Sequence, residues 1–490
     1  MNRIVLTREP FTEFVPDWPN RGKWPAHWIT APTPHAGQPV VLAFRLRFTL
    51  ASPTPLEMHV SADERYELFL DGTSIGRGPE RGDLRNWFYE TYAGTLAAGP
   101  HTLVARVWWL GSDGPAPYAQ HTHQPAFLLA AAGLHTGVAA WECVTLPGYR
   151  FLSPEMAWGT GARVAIDGEH FQWGYERGDG PGWQPVRSLG PAVNASEANE
   201  HPQLRWALRP ATLPAMRAAP RQVGVARQTD AADWNAWLAG RQPVTIPAHT
   251  TRQVLIDLGD YYCAYPQLTT TGGRGARVRL RWAEALFEST EAAPEHWSPP
   301  KGNRDEVAGK HFVGVGDEFL PDGGTHREFT TLWWAAGRYV ELVVTTTAEP
   351  VTLERLRWLE TGYPFEFTGR CEFSDARLAR VTPLATRALQ MCAHETYMDC
   401  PYYEQLMYVG DTRLEALVTY VLTADDRLPR KAILMFDESR VPTGLTQSRY
   451  PSRVRQVIPP FSLWWIGMVH DYAMRSEEHT SELQSPCNLV

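Results

Sequence analysis

The chain has 490 residues, which is too long for one hydrophobic core, so we expect two to four domains. Its formal net charge of −8 provides no basic surface field, which argues against nucleic acid and anionic membranes as partners. The content of 43% hydrophobic and 20% charged residues is ordinary for a soluble globular protein.

The first strongly patterned region, residues 21–175, follows a predicted N-terminal tail at 1–20 and reads as β structure. Apolar and polar residues alternate over 44–50, which predicts a half-buried strand. Asp71-Gly72 joins two further strands as a hairpin turn, and another strand is expected at 101–109. We therefore predict a β-sandwich of the jelly-roll type, similar to galactose-binding domains.

Residues 176–225 are rich in Gly and Pro and show little periodicity, which indicates a linker. A second β-sandwich is predicted over 226–365, with strands near 254–258, 276–286 and 337–344. Strands come first and helices follow, so separate β and α domains are expected.

The period changes to helical in residues 366–474. Ser374-Asp375 offers an N-cap, and Pro383 inside the apolar pattern predicts a kink or a late helix start. A second helix is predicted after Asp411, with Leu414, Leu417, Val418, Val421 and Leu422 on its buried face. A third begins near Pro459.

The last segment, residues 475–490, loses the apolar pattern abruptly and is similar to a translated sequencing adapter. We interpret it as a non-native tail and expect the natural chain to continue where it begins. The alternative is a genuine polar C-terminal tail.

The cysteines are scattered, without paired or metal-type spacing: Cys143, Cys263, Cys371, Cys392, Cys400 and Cys487. We expect them to be reduced and mostly buried, which favours a cytoplasmic location and no metal site. The N-terminus lacks the apolar stretch of a secretory signal, and no segment approaches the roughly 18 apolar residues of a membrane span.

Tryptophan is enriched, with 20 residues where about 6 are ordinary. Core filling of a β-sandwich explains about two-thirds of them by our interpretation; sugar stacking is the functional alternative. The strand that ends at Val107-Trp108-Trp109 is the candidate aromatic platform.

The segment Asp399–Arg413 brings three carboxylates together: Asp399, Glu404 and Asp411. Glycoside hydrolysis needs one carboxylic acid to protonate the departing oxygen and a second carboxylate to activate water. Asp411 could instead be a helix N-cap and Asp399 a turn cap, but no capping position explains Glu404.

The same segment resembles the DCP-x-x-E-x-x-x-x-x-G-D signature of the bacterial α-L-rhamnosidases of glycoside hydrolase family 78. The resemblance implies an (α/α)6 six-hairpin barrel, here incomplete, and an inverting reaction on a carbohydrate without cofactor or metal. It implies that Glu404 is the general acid and that Asp399 and Asp411 hold sugar hydroxyls. Tyr408 would line the subsite of the cleaved sugar.

Other site candidates have less direct support. Many family members flank the acid with arginines, whereas Tyr403 and Gln405 stand here, so a related enzyme acting on another sugar is an alternative. Tyr403 is taken as a further substrate-binding candidate. Arg449 could bind a sugar or stabilise a turn. Of Trp464 and Trp465, one is expected in the core and Trp464 is taken as the substrate-binding candidate.

The general base of the family is a glutamate far downstream of the acid, and no residue of this chain is assigned to that role. Glu415, Asp437 and Glu438 are nearer by type, but solvated surface is the better interpretation of all three. We therefore expect the fragment to be inactive. A non-catalytic carbohydrate-binding protein is the second function considered, and the sequence does not indicate an oligomeric state.

Overall fold

A computed structural model describes residues 1–475, except 12–22, 34, 36, 113–114, 154–156, 197–204, 231–232 and 292–297. Within these ranges the chain forms three β-sheets and then a group of helices. The predicted fold class, β domains followed by a helical region, is confirmed. Apart from Arg475, the proposed non-native tail lies outside the described residues, as does Cys487.

The first sheet has seven strands in the order β1 (Asn2–Ile4), β7 (Trp87–Leu96), β15 (Ala207–Pro210), β14 (Arg187–Asn194), β2 (Lys23–Thr30), β9 (Ala126–Ala130) and β4 (Thr54–Asp63). The second has six, in the order β13 (Gln184–Pro185), β10 (Glu142–Thr145), β3 (Val40–Leu50), β8 (Gly99–Trp109), β5 (Arg65–Leu70) and β6 (Thr73–Gly78). Apolar residues of both sheets meet in one core, among them Phe44, Val60 and Phe127. The predicted hairpin is present, with Asp71 and Gly72 at φ 50° and 80°.

The third sheet has eleven strands. Its main path is β11 (Tyr149–Leu152), β12 (Arg163–Asp167), β21 (Val315–Leu320), β20 (Arg277–Ala283), β23 (Ala335–Thr345), β19 (Thr251–Gly272), β24 (Val351–Gly362) and β16 (Arg217–Arg221). Three short strands pair with it: β17 (Val225–Thr229), β18 (Val244–Ile246) and β22 (Arg327–Thr330). The predicted strands near 254–258, 276–286 and 337–344 are β19, β20 and β23.

The predicted boundaries differ from the structure at three places. The region 176–225, expected to be a linker, contributes β13 to β16 and the first residue of β17 to sheets. Strands β11 and β12 lie in the range of the first sandwich but join the third sheet, where Ala165 pairs in parallel with Glu318. Strand β1 lies in the predicted tail. Short strands that pair with distant partners carry no periodic signal of their own, which explains these differences.

The helices are α1 (Trp234–Leu238), α2 (Ala376–Ala379), α3 (Val381–Cys392), α4 (Val409–Leu422), α5 (Arg427–Glu438) and α6 (Pro459–Arg475). Asp375 caps α2 as predicted, because its side chain accepts a hydrogen bond from the Arg377 amide. Pro383 is the third residue of α3, where a missing amide hydrogen costs nothing. No described helix is long and apolar enough to cross a membrane.

The buried face of α4 shares only Leu422 with the predicted one. Leu414 and Val421 are exposed, whereas Thr412, Ala416 and Thr419 are buried. Small residues on that face allow α4 to pack closely against its neighbours.

Most tryptophans fill the β cores, as the first interpretation expected. Twelve are buried: Trp24, Trp28, Trp87, Trp108, Trp109, Trp141, Trp206, Trp234, Trp237, Trp282, Trp334 and Trp358. The proposed platform at Trp108-Trp109 is therefore wrong, because both rings lie in the core, at 4% and 5% exposure. Of the described cysteines, all free, Cys143 and Cys263 are buried and Cys371 is exposed.

Buried charges join the β regions to the helices. Arg65 of β5 donates two hydrogen bonds to the carboxylate of Glu395, which follows α3. Burial by itself would raise the pKa of Glu395, but Arg65, Arg81 and Lys431 outweigh it and hold the pKa at about 2. Lys431 Nζ of α5 lies 2.8 Å from Glu80 Oε1. Breaking such a buried pair is costly, so these contacts fix the helices against the sheets.

Candidate active site

The loop between α3 and α4 is held in a tight fold by backbone hydrogen bonds. The amide of Asp399 donates to Leu406 O at 2.9 Å, and the amide of Leu406 donates to Asp399 Oδ1 at 3.2 Å. Gln405 closes the turn, with its amide 3.0 Å from Cys400 O and a left-handed φ of 56°. Such backbone is strained for a residue with a side chain and persists only where its surroundings enforce it.

The side chain of Gln405 supplies part of that enforcement. It is buried, its Oε1 accepts a hydrogen bond from Trp333 Nε1 at 2.9 Å, and its Nε2 donates to Pro401 O at 2.9 Å. The residue that stands where many relatives have arginine therefore supports the loop from inside.

Glu404 is half-buried at this turn. Its carboxyl is hydrogen-bonded to Tyr408 and to Asp399, and its Oε2 is buried without a protein partner. Burial raises the pKa of Glu404, and the hydrogen bond from Tyr408 and the charge of Arg449 only partly oppose it. Arg449 Nη1 donates to the Tyr408 hydroxyl at 2.6 Å, which leaves the hydroxyl proton for Glu404. A carboxyl in this environment can hold a proton for transfer to substrate.

Two further predicted carboxyls lie beside it. Burial, followed by the negative charge of Glu404, raises the pKa of Asp399 to about 7. Asp411 is in the first turn of α4, and burial raises its pKa as well. Asp411 is not the N-cap, because that position is Tyr408, whose side chain makes no capping bond.

Glu415 is a fourth carboxyl in the cluster, and its interpretation as solvated surface is wrong. Its Oε2 is buried without a hydrogen-bond partner, one helical turn after Asp411. Burial, then the charges of Asp411 and Asp399, raises its pKa well above the ordinary value. The error follows from the misassigned face of α4. By contrast, Glu438 is exposed, and Asp437 pairs with Arg440 at the surface.

Glu415→Gln is expected to stabilise the protein at alkaline pH. A carboxyl whose pKa is raised on folding binds more protons in the folded state, so the free energy of unfolding falls as pH rises above the unfolded pKa. Because glutamine does not ionise, Glu415→Gln removes this decrease in the free energy of unfolding. The gain should be small near pH 4 and on the order of 1 kcal/mol at pH 8, measured by urea denaturation. The exposed Glu438→Gln is the matched control, and an equal gain at both pH values would contradict the burial of Glu415.

The other predicted residues are distributed differently. Arg449 is brought to the acid, and its guanidinium lies among the rings of Tyr408, Tyr118 and Trp158. The hydroxyl of Tyr403 accepts a hydrogen bond from Lys301 Nζ at 3.0 Å, so this side chain contacts the second β region.

Trp464 is 38% exposed and lies beside Arg413, with 5.1 Å between the guanidinium carbon and the ring centre. Trp465 is the core-facing member of the pair, because its Nε1 donates to Ile433 O at 3.1 Å and its ring packs on the helical core. No described contact brings Trp464 to Glu404.

The loop between β11 and β12 of the third sheet contributes residues that the sequence did not indicate. Gly159 donates its amide hydrogen to Tyr403 O at 3.0 Å, and a Cβ there would lie 2.4 Å from Glu404 O and 2.7 Å from Glu404 Cα. Only glycine fits this approach. The run Gly159-Thr160-Gly161 was the one available signal, since glycines mark close backbone contacts.

In the described ranges no set of three or more His, Cys, Asp and Glu side chains is arranged to hold a metal ion. Among the four carboxyls, Glu404 is hydrogen-bonded to Tyr408 and Asp399, and Glu415 is affected by the charges of Asp411 and Asp399.

Comparison with known proteins gives the same family as the signature. Residues 366–475 match the sequence model of the bacterial alpha-L-rhamnosidase six-hairpin glycosidase domain. A search of curated protein sequences gives no match.

Several solved rhamnosidases share the fold. The family 78 rhamnosidase of Bacillus sp. GL1 is 16% identical, with a TM-score of 0.72 over 92% of this chain and 67% of its own. The α-L-rhamnosidase of Dictyoglumus thermophilum is 15% identical, with a TM-score of 0.65 over 92% of this chain and 48% of its own. The α-L-rhamnosidase of Streptomyces avermitilis, solved with L-rhamnose, is 17% identical, with a TM-score of 0.59 over 85% of this chain and 38% of its own. The chain thus spans about half of the last two enzymes or less.

The signature between Asp399 and Asp411, the order of β and α regions and the match of the helical segment agree. The predicted resemblance is confirmed: the chain has the fold of the family 78 rhamnosidases, and its residues 366–475 match the model of the bacterial alpha-L-rhamnosidase six-hairpin glycosidase domain.

Proposed function

We propose that the protein is the front part of a glycoside hydrolase that releases terminal α-L-rhamnosyl groups, with Glu404 as the general acid. The observation that carries this proposal is the state of Glu404. It is a half-buried carboxyl with a raised pKa, an unpartnered oxygen and a hydrogen-bonded tyrosine, within the family signature.

The geometry supports a division of roles. Glu404 gives its proton to the glycosidic oxygen as the bond to the anomeric carbon breaks. The carboxylate left behind is stabilised by the hydroxyl of Tyr408, which Arg449 polarises from its other side. Asp399 and Asp411 accept hydrogen bonds from sugar hydroxyls, and burial together with the negative charge of Asp411 raises the pKa of Glu404.

Inversion requires a second carboxylate roughly 6.5–9.5 Å from the acid, with room for water between them. Glu415 does not suit this role, because it lies one turn beyond Asp411 on the same helix and its carboxyl is buried. We propose that the base belongs to natural sequence that continues from about residue 475, where the proposed non-native tail begins.

The 490-residue chain is therefore expected to release no rhamnose from 4-nitrophenyl α-L-rhamnoside. A protein expressed from the continued reading frame should release it at rates typical of glycosidases. The measurement is liberated 4-nitrophenol at matched concentrations, with circular dichroism to show that both proteins are folded. Turnover by the shorter chain would contradict the assignment of the base.

Two alternative functions can be distinguished by measuring hydrolysis of a set of glycosides and by measuring sugar binding. If the enzyme acts on another sugar, the longer protein will prefer a different 4-nitrophenyl glycoside, such as an α-L-fucoside or α-D-mannoside. The carbohydrate-binding alternative has lost its proposed platform, because Trp108 and Trp109 are buried. Sugar binding that survives Glu404→Gln, together with no hydrolysis by the longer protein, would favour it.

A further inference from the structure

We propose that Trp158, between β11 and β12 of the third sheet, and Tyr118, between β8 and β9, form an aromatic platform that binds the leaving-group side of the glycoside. This inference rests on the proposed function of Glu404. Trp158 is 45% exposed, whereas most described tryptophans are buried in the β cores. An exposed indole beside an acid that acts on sugars presents a flat apolar face for ring stacking.

The platform is held next to the acid by backbone contacts. Gly159, the residue after Trp158, donates to Tyr403 O and packs on the backbone of Glu404. The carbonyl of Gly159 in turn accepts a hydrogen bond from the amide of Tyr118 at 3.0 Å. Both aromatic residues are therefore within one residue of a contact that fixes the position of the acid loop.

Tyr118 is anchored from the helical region. The amide of Arg453 donates to Tyr118 O at 2.9 Å, and its guanidinium lies 4.9 Å from the Tyr118 ring centre. The same guanidinium donates to Ala116 O at 3.1 Å and to Pro117 O at 3.3 Å. Trp158 then packs edge-on against Tyr118, with ring centres 5.1 Å apart and planes at 70°.

A polar group with spare capacity lies between the platform and the acid. The guanidinium carbon of Arg449 is 5.8 Å from the ring centre of Trp158 and 5.5 Å from that of Tyr408. Arg449 is 6% exposed, and its Nε is buried with no hydrogen-bond partner in the described protein. An unpartnered donor at this position suits an oxygen of a bound ligand.

Glu404 has two chemically different kinds of neighbour, carboxyls and an aromatic ring, and this difference assigns the platform to the leaving group. The carboxyls of Asp399, Asp411 and Glu415 cluster around its side chain and match a hydroxyl-rich sugar. The Trp158 face offers an apolar ring that is open to solvent, which matches an aglycone that extends outward. The expected occupant is an aromatic aglycone or the apolar face of a second sugar ring.

The test compares phenyl and methyl α-L-rhamnoside, which differ only in the leaving group, by calorimetric titration of the 490-residue chain. The wild type should bind the phenyl glycoside roughly three- to tenfold more tightly. Trp158→Ala should abolish this preference and leave the methyl glycoside within about twofold. Trp158→Phe should keep most of the preference for the phenyl glycoside. Phe373→Ala removes an aromatic ring that is 43% exposed, comparable to Trp158, and should change neither affinity.

The outcomes separate the two proposals. A phenyl preference that persists in Trp158→Ala would overturn the platform and leave the rhamnosidase proposal intact. If the wild type binds neither glycoside, the platform is overturned; the proposed function fails with it only if the protein from the continued reading frame also releases no rhamnose. A loss of affinity for both glycosides in Trp158→Ala would place the ring against the cleaved sugar and also overturn the leaving-group assignment.

Discussion

Glu404→Gln in the protein expressed from the continued reading frame is expected to lower kcat for phenyl α-L-rhamnoside by about 100-fold or more. Glutamine keeps the shape of the side chain and its hydrogen bonds to Tyr408 and Asp399, but it has no proton to give. The loss is therefore chemical, and KM should change little.

The size of the loss should depend on the leaving group. Phenolate and alkoxide need protonation as they depart, whereas fluoride departs with little help. Glu404→Gln should therefore be nearly as active as wild type on α-L-rhamnosyl fluoride. Asp437→Asn, at a surface carboxyl paired with Arg440, is the control and should match wild type on every substrate. An equal loss on phenyl glycoside and fluoride would assign Glu404 a role other than proton donor.

Gly159→Ala should also reduce activity by about 100-fold, although Gly159 has no chemical group to contribute. The added Cβ would lie 2.4 Å from Glu404 O, which is backbone and cannot rotate away. The loop must shift, and a displacement of about 1 Å at the acid is enough for an effect of this size. Overpacking should also lower the free energy of unfolding by about 1–3 kcal/mol.

The control for this variant is Gly94→Ala. Its Cβ would lie 3.0 Å from Met1 Sδ and 3.2 Å from Met1 Cα, which is looser than the 2.4 Å contact at Gly159. Kinetics on phenyl α-L-rhamnoside and urea denaturation should show little change for Gly94→Ala. Full activity of Gly159→Ala would mean that the β11–β12 loop does not position Glu404.

The sequence predicted those parts of the fold that have a local cause. Alternating apolar and polar residues predicted β3, and Asp71-Gly72 predicted a hairpin turn. The helical spacing of apolar residues after Pro459 predicted α6. The acid and its neighbours were accessible only because Asp399, Glu404 and Asp411 lie within thirteen residues in a known signature.

What the sequence could not show depends on contacts between distant residues. Strand β12 has no strong alternation, and its partner β21 lies about 150 residues later. Trp158 and Gly159 could be assigned to the site only from the contact between Gly159 and Glu404. Glu404 lies in the helical region, and the whole second β region separates it from Gly159 in the chain. Glu415 was misplaced because the apolar residues of α4 suggested a single buried face, whereas its small residues pack inside.

The Arg65–Glu395 pair and the Gly159 contact have a consequence for how the molecule can be divided. Calorimetry should show the sheets and helices melting in one cooperative transition, because each buries charge or backbone of the other. A helical segment excised at residue 366 would leave Glu395, with its pKa of about 2, without Arg65. Although the signature lies wholly in the helical region, we therefore expect the smallest autonomous folding unit that carries it to include the β regions.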